Sequence, residues 1–187
     1  RRVLFRSQID RFKYIFTKVK ATLPGKPFRH MLNTSGVINY PEAQFEMVRC
    51  GIGLHGYAND PKIDALLIPV ATLKSVISQI HEIGSDETVG YNRAYTSEGA
   101  RVTATLPLGH ADGIGRHYGK AAGGVMVNGK EAPIIGNVCM DMIMIDVTGI
   151  DCNEGDEVIL FGPEHSAEQL ANAANTISYE LLTSISS

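Results

Sequence analysis

Val125-Met126-Val127-Asn128-Gly129-Lys130 sets Asn-Gly between two apolar runs, the strongest short-range signal for a tight β-hairpin. Downstream, 134–147 is a long apolar run interrupted by Asp141, and 157–161 reads as one more strand. Upstream, 101–108 alternates Val102, Ala104 and Leu106 with polar positions, as a half-buried strand does. The stretch 66–83 is rich in β-branched residues and reads as one or two strands. A helix returns only near the end, where Ser166 and Gln169 form a capping box ahead of Leu170 and Ala171. Residues 65–187 therefore predict a β-rich domain.

The preceding stretch has a different pattern. Ile9, Phe12, Ile15, Phe16, Val19 and Leu23 recur at helical spacing before Pro24-Gly25-Lys26-Pro27 breaks the run. A short run over 28–33 follows, then a turn at Thr34-Ser35-Gly36. Pro41 is placed to open a short helix, and a second run over 45–52 ends in Gly51-Ile52-Gly53. Helix, strand, helix, strand in this order predicts a parallel α/β unit, with a boundary after about Asp64. The expected class is thus α/β plus all-β.

The chain has 187 residues, 44% of them hydrophobic, enough for one ordinary domain or one plus part of another. Its 17 Lys and Arg against 20 Asp and Glu leave a formal charge of −3. Without a long basic block, neither nucleic acid nor an anionic membrane surface is an expected partner. No apolar stretch nears the ~18–20 residues that span a bilayer, and the N-terminus lacks the apolar core of a signal peptide. Cys50, Cys139 and Cys152 show no C-x-x-C spacing, which disfavours a disulfide framework or a zinc site and suits a reducing compartment. A soluble cytoplasmic protein without a metal is expected. There is no initiator Met, and Arg1-Arg2-Val3-Leu4-Phe5-Arg6-Ser7 resembles an in-frame translation of a sequencing-library adapter. Residues 1–7 are accordingly read as an artefact, and the chain is expected to be a fragment whose true sequence starts near Gln8.

Two loops, 30–36 and 49–53, close the α/β part. Loops after the last two strands of a TIM barrel often bind phosphate. The hydroxyls of Thr34 or Ser35 and the amides around Gly51 and Ile52 suit an anion, although the same residues are ordinary turn formers. In the β-rich part, Tyr91 would act as a base only where its surroundings favour phenolate, because its ordinary pKa is about 10. Residue type alone reads it as a strand tyrosine with a satisfied hydroxyl. His110 and Asp112 lie two apart and need not be a metal pair. Asp141 is the sharper anomaly: a carboxylate inside the apolar run is costly if buried without partners, so it should face a strand end, an interface or a site.

Six stretches, 30–36, 41–56, 89–95, 105–116, 132–147 and 175–180, resemble, in order, the C-terminal portion of bacterial alanine racemase. The resemblance runs from about Gln8 to the end. It implies that 8–64 are the last strand–helix units of a PLP-binding TIM barrel and that 65–187 are a C-terminal β-barrel-like domain. It implies pyridoxal 5'-phosphate as cofactor, and L-alanine and D-alanine as substrates interconverted through an aldimine, supplying D-alanine for peptidoglycan. A homodimer with sites shared between subunits is implied as well. By matching motifs, Thr34 occupies the phosphate-binding serine position, Gly51 and Ile52 offer amides to the phosphate, and Tyr179 also contacts it. Arg49 matches the arginine opposite the pyridine nitrogen, supported by His30. Tyr91 matches the catalytic tyrosine, and Met140 and Asp141 the substrate-binding pair, all three acting on the partner's cofactor.

Racemisation takes a proton from one face of Cα and returns one to the other, so it needs two bases, while the cofactor delocalises the carbanion. The implied bases are Tyr91 and the Schiff-base lysine. That lysine belongs to a motif absent from these residues, so the chain alone is expected to be inactive. A second departure is His110, where the family usually has tyrosine in Gly-Tyr-Ala-Asp-Gly; this variant resembles racemases fused behind a cell-wall amide ligase. Alternatives are a broad-specificity amino-acid racemase, a PLP decarboxylase of the same fold group, or a non-catalytic dimerisation module.

Overall fold

Ile9, Phe12 and Phe16 fall on one stripe of helix α1 (Arg2–Val19), and that stripe builds the core of the first unit. Ile9 is buried with Leu32 and Ala43, the Phe5 ring lies 4.4 Å from that of Tyr40, and Phe12 lies 5.4 Å from Phe45. The computed structural model describes residues 2–58 and 60–185. Residues 2–7, read from sequence as an artefact, continue α1; Arg1 lies outside the described residues. The chain divides into two units, Arg1–Asp64 and Ala65–Ser187.

In the first unit, β1 (His30–Asn33) pairs in parallel with β2 (Met47–Arg49), His30 opposite Met47 and Asn33 opposite Arg49. Helix α2 (Thr34–Asn39) starts directly at the end of β1. The turn expected at Thr34-Ser35-Gly36 is instead its first turn, because the Asn33 side chain accepts a hydrogen bond from the Gly36 amide at 3.0 Å and so caps the helix. The helix expected at Pro41 is a single 3-10 turn, Pro41–Ala43, and α3 (Pro61–Asp64) closes the unit.

The second unit runs β3 (Leu73–Val76), β4 (Gln79–Ile83), β5 (Thr88–Val89), β6 (Tyr95–Thr96) and β7 (Arg101–Leu106). It continues with β8 (Gly124–Val127), β9 (Lys130–Ile135), β10 (Ile143–Asp146), β11 (Glu157–Phe161), α4 (Ala167–Ala173) and α5 (Ser178–Ser184). Seven strands form one antiparallel sheet in the order β3-β11-β8-β9-β10-β7-β4. Its two edges, β3 and β4, are separated in sequence only by Ile77 and Ser78. The Ile77 amide donates to the Asp156 carbonyl at 3.0 Å, and the next amide, Ser78, donates to the Thr105 carbonyl at 2.9 Å. A chain that passes between opposite edges in two residues requires a sheet curled until its edges nearly meet. The structure thus has the barrel-like form expected.

Inside the curl, Val125, Val127, Ile134, Ile143, Ile145 and Leu160 are buried, each contributing about 1.5–3 kcal/mol by leaving water. Asn128 and Gly129, both at positive φ, make the hairpin between β8 and β9. The apolar run 134–147 splits into two strands. Gly136, at φ +65°, ends β9, and its carbonyl accepts from the Lys120 amide at 2.7 Å. Residues 136–142 form a loop that carries Asp141 into solvent. Among the described residues, no helix is long and apolar enough to cross a membrane.

Candidate active site

In the first unit, the buried Thr34 hydroxyl accepts a hydrogen bond from the Gly53 amide at 3.2 Å. This joins the start of α2 to the start of the 3-10 turn Ile52–His55. Gly51 precedes that turn and Ile52 is its first residue, positions whose amides have no partner within the helix. With the Gly53 amide taken up by Thr34, the Thr34 hydroxyl proton and the amides of Gly51 and Ile52 are gathered from two segments, a donor set that suits an oxyanion. A side chain at 53 would crowd it, since a Cβ there would lie 2.8 Å from Thr34 Cγ2. His30 and Arg49, both exposed, sit at opposite ends of the paired strands β1 and β2.

In the second unit, a cavity of about 940 Å³ brings together Tyr91, Met140 and Asp141. Its walls also carry His81, His110 and Arg116, of which the sequence singled out only His110. His81 and Arg116 have no local pattern to mark them; they become wall residues through the pairing of β4 with β7 and through the 3-10 turn Arg116–Tyr118.

The turn at Gly109–Asp112 holds the Met140–Asp141 loop. Gly109 presses against it: a Cβ there would lie 2.4 Å from the Cys139 carbonyl oxygen and 2.6 Å from that of Met140. Those carbonyls accept hydrogen bonds from the amides of His110 and Ala111, each at 2.9 Å. Asp112 accepts from the Gly109 amide at 2.8 Å and so shapes this turn from within. Burial pushes the Cys139 thiol above its ordinary pKa, and Asp141 adds to the shift while Arg116 opposes it.

Tyr91 starts a 3-10 turn, Tyr91–Arg93, between the short strands β5 and β6. Its side chain is 72% exposed, so the satisfied strand tyrosine that residue type alone favoured is not what the structure shows. Gly90, Asn92 and Arg93 all have positive φ. For Arg93 that conformation costs about 1–3 kcal/mol, so the surroundings must hold the turn. Tyr179 is the second residue of α5, half-exposed. Its helix is anchored where the Ser184 hydroxyl donates to the Gly113 carbonyl at 2.9 Å, and the Thr176 hydroxyl bonds the Glu180 carboxylate.

Comparison with known proteins matches residues 70–187 to the family described as alanine racemase, C-terminal domain, and residues 2–59 to alanine racemase, N-terminal domain. The chain is similar to alanine racemase of Desulfosudis oleivorans, 35% identical over 189 residues, covering 96% of this chain and 48% of the relative. Among solved structures it is similar to alanine racemase from Streptomyces coelicolor, with a TM-score of 0.89, 34% identity and coverage of 98% and 50% of the two chains. It is also similar to alanine racemase from Bartonella henselae with covalently bound pyridoxal phosphate, with a TM-score of 0.81, 31% identity and coverage of 97% and 50%. The chain spans about half the length of the curated relatives it matches.

Proposed function

The chain belongs to the alanine racemase family, and from that membership and the two residue sets above we propose that it serves an enzyme interconverting L- and D-alanine with pyridoxal 5'-phosphate. The observation that carries this reading is that Tyr91, Met140 and Asp141, distant in sequence, line one cavity. The donor set at Thr34, Gly51 and Ile52 fits the phosphate of that cofactor.

When bound, the cofactor supplies an electron sink that lets the Cα proton of an amino acid leave. Thr34 and the amides of Gly51 and Ile52 would hold its phosphate, and Tyr179 would add a hydroxyl there. Arg49 would set a positive charge toward the cofactor ring and so disfavour protonation of its nitrogen, and His30, on the neighbouring strand, would support it. Tyr91 moves the proton on one face of Cα, and its exposed hydroxyl is free to reach a second subunit's site. Met140 and Asp141 bind the substrate beside it. The second base is a lysine outside the motifs matched here, so the chain by itself does not turn over alanine. The complete enzyme is a homodimer whose β units serve each other's cofactor.

The test joins this chain in frame behind the first half of the Streptomyces coelicolor relative and follows D-alanine formed from L-alanine by chiral chromatography. The fusion should racemise, the isolated chain should not, and Tyr91→Phe should lower turnover by about 10²–10⁴. Turnover that survives Tyr91→Phe in both directions would remove Tyr91 from the mechanism. A cooperatively folded fusion with no turnover would make the β unit a non-catalytic module.

A further inference from the structure

We propose that Asn137 is a positioning residue that locks Tyr91 onto the loop carrying Met140 and Asp141. The inference rests on the reading of Tyr91 as the proton-transfer residue and extends it to Asn137, a residue of the 132–147 stretch to which no role was assigned above. Two segments run side by side at this point, and glycines alternate between them. Gly136, at φ +65°, admits the Val89 carbonyl, whose oxygen would lie 3.0 Å from a Cβ at 136. Gly90, at φ +76°, admits Met144 Cε at 3.1 Å and the Asn137 amide nitrogen at 3.7 Å, measured to a Cβ at 90. The next step is polar: Asn137 Nδ2 donates to the Tyr91 carbonyl at 3.1 Å.

Beneath this junction, Val89 and Tyr95 pack on Ile135, Cys139 and Met144, which fixes the base of the β5–β6 ribbon. Tyr91 stands at the tip, beyond that packing, on a turn with positive φ at Gly90, Asn92 and Arg93. The Asn137 amide therefore couples the Tyr91 peptide to the Met140–Asp141 loop, three residues upstream of Met140. Without it the turn can relax toward ordinary backbone while the packed base stays in place. Tyr91 then keeps its chemistry and loses its placement.

Asn137→Asp removes the donor at constant shape, and Asn137→Ala removes the arm. In the full 187-residue chain labelled with 15N-tyrosine, the Tyr91 amide is assigned by its loss in Tyr91→Phe, and its relaxation is compared across variants. Its order parameter should fall from the rigid range, about 0.85, to below about 0.6, with the Tyr95 and Tyr118 amides unmoved. In the fusion described above, kcat should fall at least tenfold while the KM for alanine stays within twofold. An unchanged Tyr91 order parameter in both variants overturns the proposal, as does a fall shared by Tyr95 and Tyr118, which would mean general loosening. The relaxation measurement needs no turnover. A fusion that never racemises thus counts against the proposed activity, and the relaxation data still decide whether Asn137 holds Tyr91.

Discussion

The Thr34 hydroxyl and the Gly53 amide meet at 3.2 Å, and a Cβ on Gly53 would come within 2.8 Å of Thr34 Cγ2. Thr34→Val leaves the part-buried Gly53 amide without its partner, at a cost of up to about 1–3 kcal/mol. Gly53→Ala overpacks the same junction, for about 1–3 kcal/mol. Because both changes act on one contact, the double variant should cost less than the sum. Urea midpoints of the fusion protein measure it, and additivity within about 0.5 kcal/mol would mean that the two residues act independently.

Gly109→Ala and Gly129→Ala are the same substitution in two different settings. At 109 the new Cβ meets the Cys139 and Met140 carbonyl oxygens, and backbone atoms cannot swing aside. At 129 it meets nothing within 4 Å and pays only for φ +76°, about 1–2 kcal/mol. Thermal melts should therefore show at least a twofold larger drop in Tm for Gly109→Ala. Equal drops would mean that the 139–140 peptide yields easily.

Tyr118 sets an alkaline limit. Its side chain is buried, with no hydrogen-bond partner for the hydroxyl among the described residues, and burial pushes its pKa up to about 12, with Glu180 adding to the shift. The unfolded chain releases this proton near pH 10 and the folded chain holds it to about pH 12. Stability should thus decline as pH rises through that window. Tyr118→Phe should flatten the decline and, by removing an unpaired hydroxyl, leave neutral-pH stability equal or higher. A variant that melts earlier at pH 7 would show that the hydroxyl has a stabilising partner.

Acid acts through the other unit. The Arg29 guanidinium, bonded to Glu46 and set 4.7 Å over the Phe45 ring, holds the Glu46 carboxyl down to about 2. A lowered folded-state pKa makes its contribution complete above about pH 4.5, to be lost as pH falls toward 2. Replacing Glu46 by glutamine should remove this part of the acid dependence, read from denaturation curves taken between pH 2 and 5. Identical acid profiles for the two proteins would mean that solvent screening cancels the pair.

Features legible in the sequence were those whose cause lies within a few residues. Asn128-Gly129 announced its hairpin because both residues accept positive φ, and Ser166 with Gln169 announced α4 through two reciprocal hydrogen bonds. The two-residue strands β5 and β6 are too short to show a period of two, and α5 is preceded by Ile177, whose side chain cannot cap it. Both therefore escaped the pattern. Thr34-Ser35-Gly36 read as a turn because its composition is that of a turn, and the Asn33 cap decided otherwise.

Sequence by itself determined the α/β-then-β order, the family, and the residue types that the proposed chemistry uses, because periodicity and motif order are properties of the chain. The common cavity of Tyr91, Met140 and Asp141, the edges of the sheet curling together at Ile77 and Ser78, and the grip of Asn137 on Tyr91 were decided only by tertiary structure. Asn137 and Tyr91 lie 46 residues apart. A contact across that distance depends on how β9, β10 and the β5–β6 ribbon pack, and no local pattern of side chains encodes it.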